Sequence, residues 1–168
     1  LLRGIYASGF TKPTEVQKQS IIALANGQDC LIQAQSGTGK TAAFSIGTLN
    51  RVDPHEKPVQ LLVLSPTISL ARQSCYVIKN LGKFMFSGND DCLLCCYGGG
   101  IPVEQEMRLL RQGNVRVVVG TTGRISHLRR ERGFGAHLRS IIFDEADNLM
   151  EERFLDEVKT LGMTLEQY

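Results

Sequence analysis

The 168-residue sequence predicts an α/β fold, a three-layer sandwich built on a parallel sheet. Two patterns and one junction support it. Five short apolar runs recur along the chain, at 30–34, 61–65, 92–97, 115–120 and 141–144. They are nearly continuous rather than alternating, as strands covered by helices on both faces must be. Segments of helical character lie between them, at 13–26, 40–51, 69–82, 102–112 and 123–130, with 150–161 closing the chain. Strands separated by helices need crossover connections, and crossovers make the sheet parallel. The junction is a glycine-rich loop at 34–41, leading from the first run straight into a helix. The length suits one domain around one sheet.

Composition narrows the functional classes. With 42% hydrophobic and 21% charged residues the chain has the balance of a globular domain, and no tract is biased enough to be a disordered tail. A net charge of +2 permits a nucleic-acid partner without identifying one. No apolar run approaches the roughly 18 residues of a membrane span, and the start at Leu1 lacks the pattern of a signal peptide, so no membrane partner is expected. Five cysteines are an odd number for a disulfide framework, which predicts reduced thiols in a cytoplasmic or nuclear compartment. Cys92 and Cys95 have the spacing of half a zinc site, but no second close pair completes it.

Ligands of open parallel sheets bind beyond the carboxyl ends of the strands. The first such end carries Ala34-Gln35-Ser36-Gly37-Thr38-Gly39-Lys40-Thr41. Gly37 and Gly39 allow backbone conformations closed to other residues, so that amides from Ser36 to Thr41 can surround phosphate oxygens at a helix N-terminus. Lys40 can reach the terminal phosphates, and Thr41 can set its hydroxyl on Mg²⁺. Ala34 stands where the usual pattern has glycine. At the last strand end, Ser140-Ile141-Ile142-Phe143 runs into Asp144-Glu145-Ala146-Asp147. An apolar strand ending in aspartate suits a Mg²⁺ carboxylate, which assigns Asp144 to the metal and Glu145 to polarising the attacking water. The candidate catalytic set is therefore Lys40, Asp144 and Glu145. Asp147 has a second reading, as an acid at a helix N-terminus.

With both sites in hand, Asp144-Glu145-Ala146-Asp147 spells DEAD in one-letter code, and the chain resembles the first RecA-like domain of the DEAD-box RNA helicases over nearly its whole length. Gly9-Phe10-Thr11-Lys12-Pro13-Thr14-Glu15-Val16-Gln17 is similar to the family's Q motif. The resemblance implies ATP as the nucleotide, read at its adenine edge by Gln17 with Lys12 and Thr14 beside it. Locally, Thr14 and Gln17 also fit a capping box, so Gln17 has a purely structural reading too.

The resemblance also implies RNA-backbone contacts by Pro66, Thr67, Gly99, Thr121 and Arg124. Two of these motifs depart from the family. Ile68 and Ser69 replace Arg and Glu in Pro-Thr-Arg-Glu-Leu-Ala, and Thr122 replaces the proline of Thr-Pro-Gly-Arg. An isoleucine offers a phosphate neither charge nor a fork of donors. Arg129, Arg130 and Arg132 follow Arg124 and read either as an extended phosphate track or as a solvated helix end. His55, His127 and His137 read as surface residues, and Tyr97 and Phe10 as core.

The stretch 33–46 is most similar to the translation initiation factor branch of the family, and the exon-junction helicases share much of it. The family's Ser-Ala-Thr motif and second lobe lie beyond Tyr168, so the chain is expected to be one truncated lobe. The partners implied are single-stranded or short duplex RNA, a second RecA-like lobe supplying arginines to the γ-phosphate, and translation-initiation scaffold proteins. The implied activity is RNA-dependent ATP hydrolysis that unwinds short duplexes, weak or absent in this lobe by itself. Ile68, Ser69 and Thr122 leave open a lobe that binds nucleotide or RNA without turnover.

Overall fold

A computed structural model describes residues 1–56, 58–86, 92–96, 101–128 and 134–149. Its elements are, in order, α1 (Leu2–Ala7), α2 (Glu15–Ala25), α3 (Lys40–Leu49), β1 (Leu61–Ser65), α4 (Ile68–Gly82), β2 (Leu93–Cys96), α5 (Val103–Gln112), β3 (Val117–Thr121), α6 (Thr122–Leu128), β4 (Ser140–Phe143) and α7 (Ala146–Leu149). The expected helix at 150–161 lies outside the described residues.

The strands form one parallel sheet in the order β2-β3-β1-β4. β1 is central, with Leu61 opposite Val117 on one side and Ser140 on the other. Its side chains alternate between two cores, which is why the run Leu-Leu-Val-Leu has no polar position. Leu61 and Val63 enter a cluster with Phe44 and Leu49 of α3 and Ile78 and Leu81 of α4. Leu62 and Leu64 enter the opposite cluster with Leu94, Val118, Ile125, Leu128 and Leu149. Helices on both faces of a parallel sheet make the three-layer sandwich that the alternating sequence pattern predicts.

Two expectations are corrected. The run 30–34 forms no strand, and the sheet of the described residues has four strands rather than five. Leu31 is 92% exposed. Among the described residues β4 has a neighbour on one side only, β1, and segment 30–34 is not hydrogen-bonded into the sheet. An apolar run without ladder partners does not become a strand.

The expectation of five reduced thiols also fails, because Cys75 and Cys95 are joined in a disulfide. Cys75 lies on the buried stripe of α4 with Ile78, and Cys95 of β2 faces the same cluster, which brings their Cα atoms to 6.3 Å. Cys30, Cys92 and Cys96 are free, the last two buried. Burial, with Glu106 adding to it, pushes the Cys96 thiol far above its ordinary range and keeps it protonated. Alkylation in denaturant without reductant is therefore expected to label these three cysteines and spare Cys75 and Cys95. Mass spectrometry showing all five labelled would refute the bond.

Candidate functional site

The glycine-rich loop is closed on itself. Thr38 Oγ1 donates to the Gln35 carbonyl at 2.7 Å, and Lys40 Nζ donates to the Ala34 carbonyl at 2.6 Å. Gly37 and Gly39 have φ of 80° and 95°, and Gly39 is the N-cap of α3. A side chain at 39 is doubly excluded, because its Cβ would also lie 2.5 Å from Gln17 Nε2. Being glycine, the cap offers no side chain to the first-turn amides of α3. They and the helix dipole suit an anion.

The capping box forms. Thr14 N–H donates to Gln17 Oε1 at 2.9 Å, and Gln17 N–H donates to Thr14 Oγ1 at 3.4 Å. The same two side chains also grip the loop, Gln17 Nε2 donating to the Gly39 carbonyl at 3.4 Å and Thr14 Oγ1 to the Thr38 carbonyl at 3.1 Å. The start of α2 thus holds the phosphate loop from the side. Gln17 is buried, while Lys12 beside it is exposed.

Across the sheet ends, Asp144 N–H donates to the Leu64 carbonyl at 2.9 Å, which sets Asp144 beside the end of β1. Its carboxylate is buried and accepts from Ser74 Oγ of α4 at 3.0 Å. Burial pushes the Asp144 carboxyl above its ordinary range, and the Ser74 hydrogen bond opposes the shift. Glu145 adds to the rise, whereas Lys40 lowers it. The Lys40 ammonium of the loop is thus among the charges that act on this carboxylate. Glu145 has φ 53°, and among the described residues no other non-glycine residue has positive φ. A left-handed residue between β4 and α7 costs about 1–3 kcal/mol and is held by its surroundings. Here the Glu145 carbonyl accepts from the N–H groups of Asn148 and Leu149, the last two residues of α7.

The donor set fits a hard divalent cation. A buried carboxylate, disfavoured in its charged form by burial and by a second carboxylate, gains from a metal, and Thr41 stands in the first turn of α3 to add an oxygen.

The RNA-facing candidates gather beyond β1 and β3, whose ends are in register at Ser65 and Thr121. Pro66 is buried, and Thr67 is the exposed N-cap of α4, accepting from Leu70 N–H at 3.3 Å. Ile68 and Ser69 are exposed beside it. Thr122 takes the first position of α6, where a proline is as well suited, so the change of residue leaves the helix intact. Arg124 does not point freely to solvent. Its Nε donates to Glu106 Oε2 at 2.7 Å, and its Nη2 donates to the Ile101 carbonyl. Gly99, Arg129, Arg130, Arg132 and Tyr97 lie outside the described residues. The three histidines are exposed, and Phe10 packs against the core.

Sequence reasoning missed Ser74 and Glu106. Both leave a signal in hindsight. Each is a polar residue facing the protein interior from an amphipathic helix, which the core does not need and burial penalises unless a partner is present.

The model of the DEAD/DEAH box helicase family matches residues 14–167. A probable eukaryotic initiation factor 4A of Trypanosoma cruzi is 42% identical over 94% of the chain, and the ATP-dependent RNA helicase eIF4A of Neosartorya fischeri is 41% identical over 99%. The chain spans only 39% and 41% of those relatives. Among solved structures, a DEAD box protein from the hyperthermophile Methanococcus jannaschii superposes with a TM-score of 0.80 at 28% identity, over 95% of this chain and 42% of that one. Dbp5 of S. cerevisiae, bound to RNA and ADP BeF3, gives 0.79 at 33% identity, over 96% and 40%.

Proposed function

This chain belongs to the DEAD/DEAH box helicase family, and from that premise we propose that it is the ATP-binding lobe of an RNA-dependent ATPase that unwinds or remodels short RNA duplexes. The observation that carries this is the grip of the Gln17–Thr14 pair on the glycine-rich loop that opens α3, with Asp144 held beside the end of β1. Similarity to proteins named initiation factor 4A supports a role in translation initiation, and with that role we propose scaffold proteins as partners and a cytoplasmic location. No helix among the described residues is long and apolar enough to cross a membrane.

In this reading the backbone of 36–41 binds the phosphates, and Lys40 exchanges the Ala34 carbonyl for the terminal phosphate oxygens. Gln17 and Lys12 flank the adenine. Mg²⁺, held by Thr41 and Asp144, supplies charge neutralisation at the phosphates. Glu145 takes a proton from the attacking water. Pro66, Thr67, Gly99, Thr121 and Arg124 meet the RNA backbone, so recognition is largely independent of sequence. A second lobe of the whole protein closes the cleft and supplies arginines, and the present lobe by itself turns ATP over slowly.

A rival reading, a lobe that binds without turnover, draws on Ile68 and on the occupied Arg124. Titration of fluorescent ADP with Mg²⁺, with ATP and GTP as competitors and single-stranded RNA added last, tests the proposal. ATP is expected to displace the probe and GTP to fail. Gln17→Ala removes the side-chain half of the capping box and the loop grip together, and should weaken binding about thirtyfold, since the two hydrogen bonds contribute roughly 1 kcal/mol each. Binding indifferent to the base would sink the assignment of Gln17 and favour another class of phosphate-loop protein.

A further inference from the structure

Resting on the nucleotide site proposed above, we infer that Ser74 is a positioning residue for the metal carboxylate, coupling helix α4 to the Mg²⁺ end of the site. Ser74 lies in the second turn of α4 on the buried stripe with Ala71, Cys75, Ile78 and Leu81, where an apolar side chain would be the default. It is 1% exposed, and its hydroxyl donates to Asp144 Oδ2 at 3.0 Å across a separation of 70 residues. An acceptor-only carboxylate in a buried setting has few rotamers that keep a hydrogen bond, and this bond selects one of them.

The placement has a second consequence. The cap of α4 is Thr67, an RNA-facing candidate, and the disulfide Cys75 is the residue after Ser74. One helix thus touches the RNA side at its start, the metal carboxylate at its second turn, and β2 through the disulfide. A shift of α4 against the end of β4 therefore bears on the Ser74–Asp144 bond.

The test measures fluorescent-ADP affinity of the 168-residue chain with saturating Mg²⁺ and with EDTA, for the unaltered chain, Ser74→Ala, Ser74→Thr and Asp144→Asn. A positioning role predicts that Ser74→Ala lowers the Mg²⁺-dependent gain in affinity about tenfold, the scale of a hydrogen bond to a charged group, and leaves affinity in EDTA within about twofold. Ser74→Thr, which keeps the hydroxyl, restores most of the gain. In the Asp144→Asn background Ser74→Ala adds nothing, because the pair acts as a unit. An undiminished Mg²⁺ gain in folded Ser74→Ala overturns the inference, as does an equal loss with Mg²⁺ and with EDTA. An unaltered chain that binds ADP with no response to Mg²⁺ overturns the metal reading of Asp144 and this inference with it. A chain that binds no ADP overturns the nucleotide site itself.

Discussion

Lys40→Ala is expected to leave the chain folded and to remove nucleotide binding, with a loss of at least about a hundredfold in ADP affinity. The lysine interacts with little that the fold depends on. Its Nζ donates to the Ala34 carbonyl within the same loop, and that carbonyl is near enough to the surface for water to replace the ammonium. The nucleotide has no such substitute. A hydrogen bond to a charged phosphate contributes about 1.5–3 kcal/mol, and the Coulombic attraction persists where the loop excludes water, so a hundredfold, about 2.7 kcal/mol, is the lower end. The ammonium also offsets the burial of Asp144, so its loss makes the metal carboxylate harder to keep charged. Thermal unfolding separates the two effects. Without nucleotide the variant should melt near the unaltered chain. With ADP and Mg²⁺ at about a hundred times the dissociation constant of the unaltered chain, that chain gains about 2.7 kcal/mol and the variant at most about 0.4 kcal/mol. A variant still stabilised by ADP would mean that the loop amides suffice and that Lys40 serves only the transition state.

The sequence made legible the parts of this molecule that depend on local chemistry. The strands at 61–65 and 115–120 were readable because a strand buried on both faces must be apolar throughout, that at 141–144 from its apolar run although it is only partly buried, and the glycine-rich loop because Gly-Lys-Thr opening a helix has few other uses. The run at 92–97 was readable as far as its described part, Leu93–Cys96. Segment 30–34 has the same apolar character, yet apolarity states only that a strand could be buried there, and pairing depends on a neighbour that composition cannot supply. Cys75 and Cys95 failed for a related reason. They sit 20 residues apart on a helix and a strand, and only the angle at which α4 crosses the sheet decides that their sulfurs meet. Gln17 shows a different limit. Its spacing from Thr14 supports a cap and an adenine contact equally, and the structure shows the cap coexisting with a grip on the loop that neither reading contained. Ser74 and Glu106 show in the sequence only as polar residues on inward helix faces, and their meaning lies in partners that the sequence does not name.

Arg124→Ala is expected to destabilise the chain by about 3 kcal/mol, and that cost is separable from any loss of RNA affinity. Glu106 is the reason. It is 1% exposed, on the face of α5 turned to the core, and its main compensation is the Arg124 guanidinium at 2.7 Å. Removing one partner of a buried pair strands the other charge, at about 3–5 kcal/mol, and the partial exposure of Arg124 places this pair at the lower end. For a domain of this size the melting temperature should fall by about 6–12 °C. Burial holds the Glu106 carboxyl above its ordinary 4.5, with Arg124 opposing. The folded chain therefore binds that proton more tightly than the unfolded chain, a contribution fully present below 4.5 and lost as pH rises through the raised value. In Arg124→Ala the opposing charge is gone, so the deficit should be largest near neutral pH and shrink at acidic pH as Glu106 protonates. Glu106→Gln removes the stranded charge, and the double variant should recover most of the stability at neutral pH while lacking the arginine. Urea unfolding of the four chains completes the cycle. A deficit of the same size at both pH values and in both backgrounds would place the role of Arg124 in its bond to the Ile101 carbonyl instead. RNA titration of the recovered double variant then isolates what the guanidinium gives to a phosphate. If Arg124 meets the backbone, affinity falls uniformly across sequences and the salt slope decreases by about one.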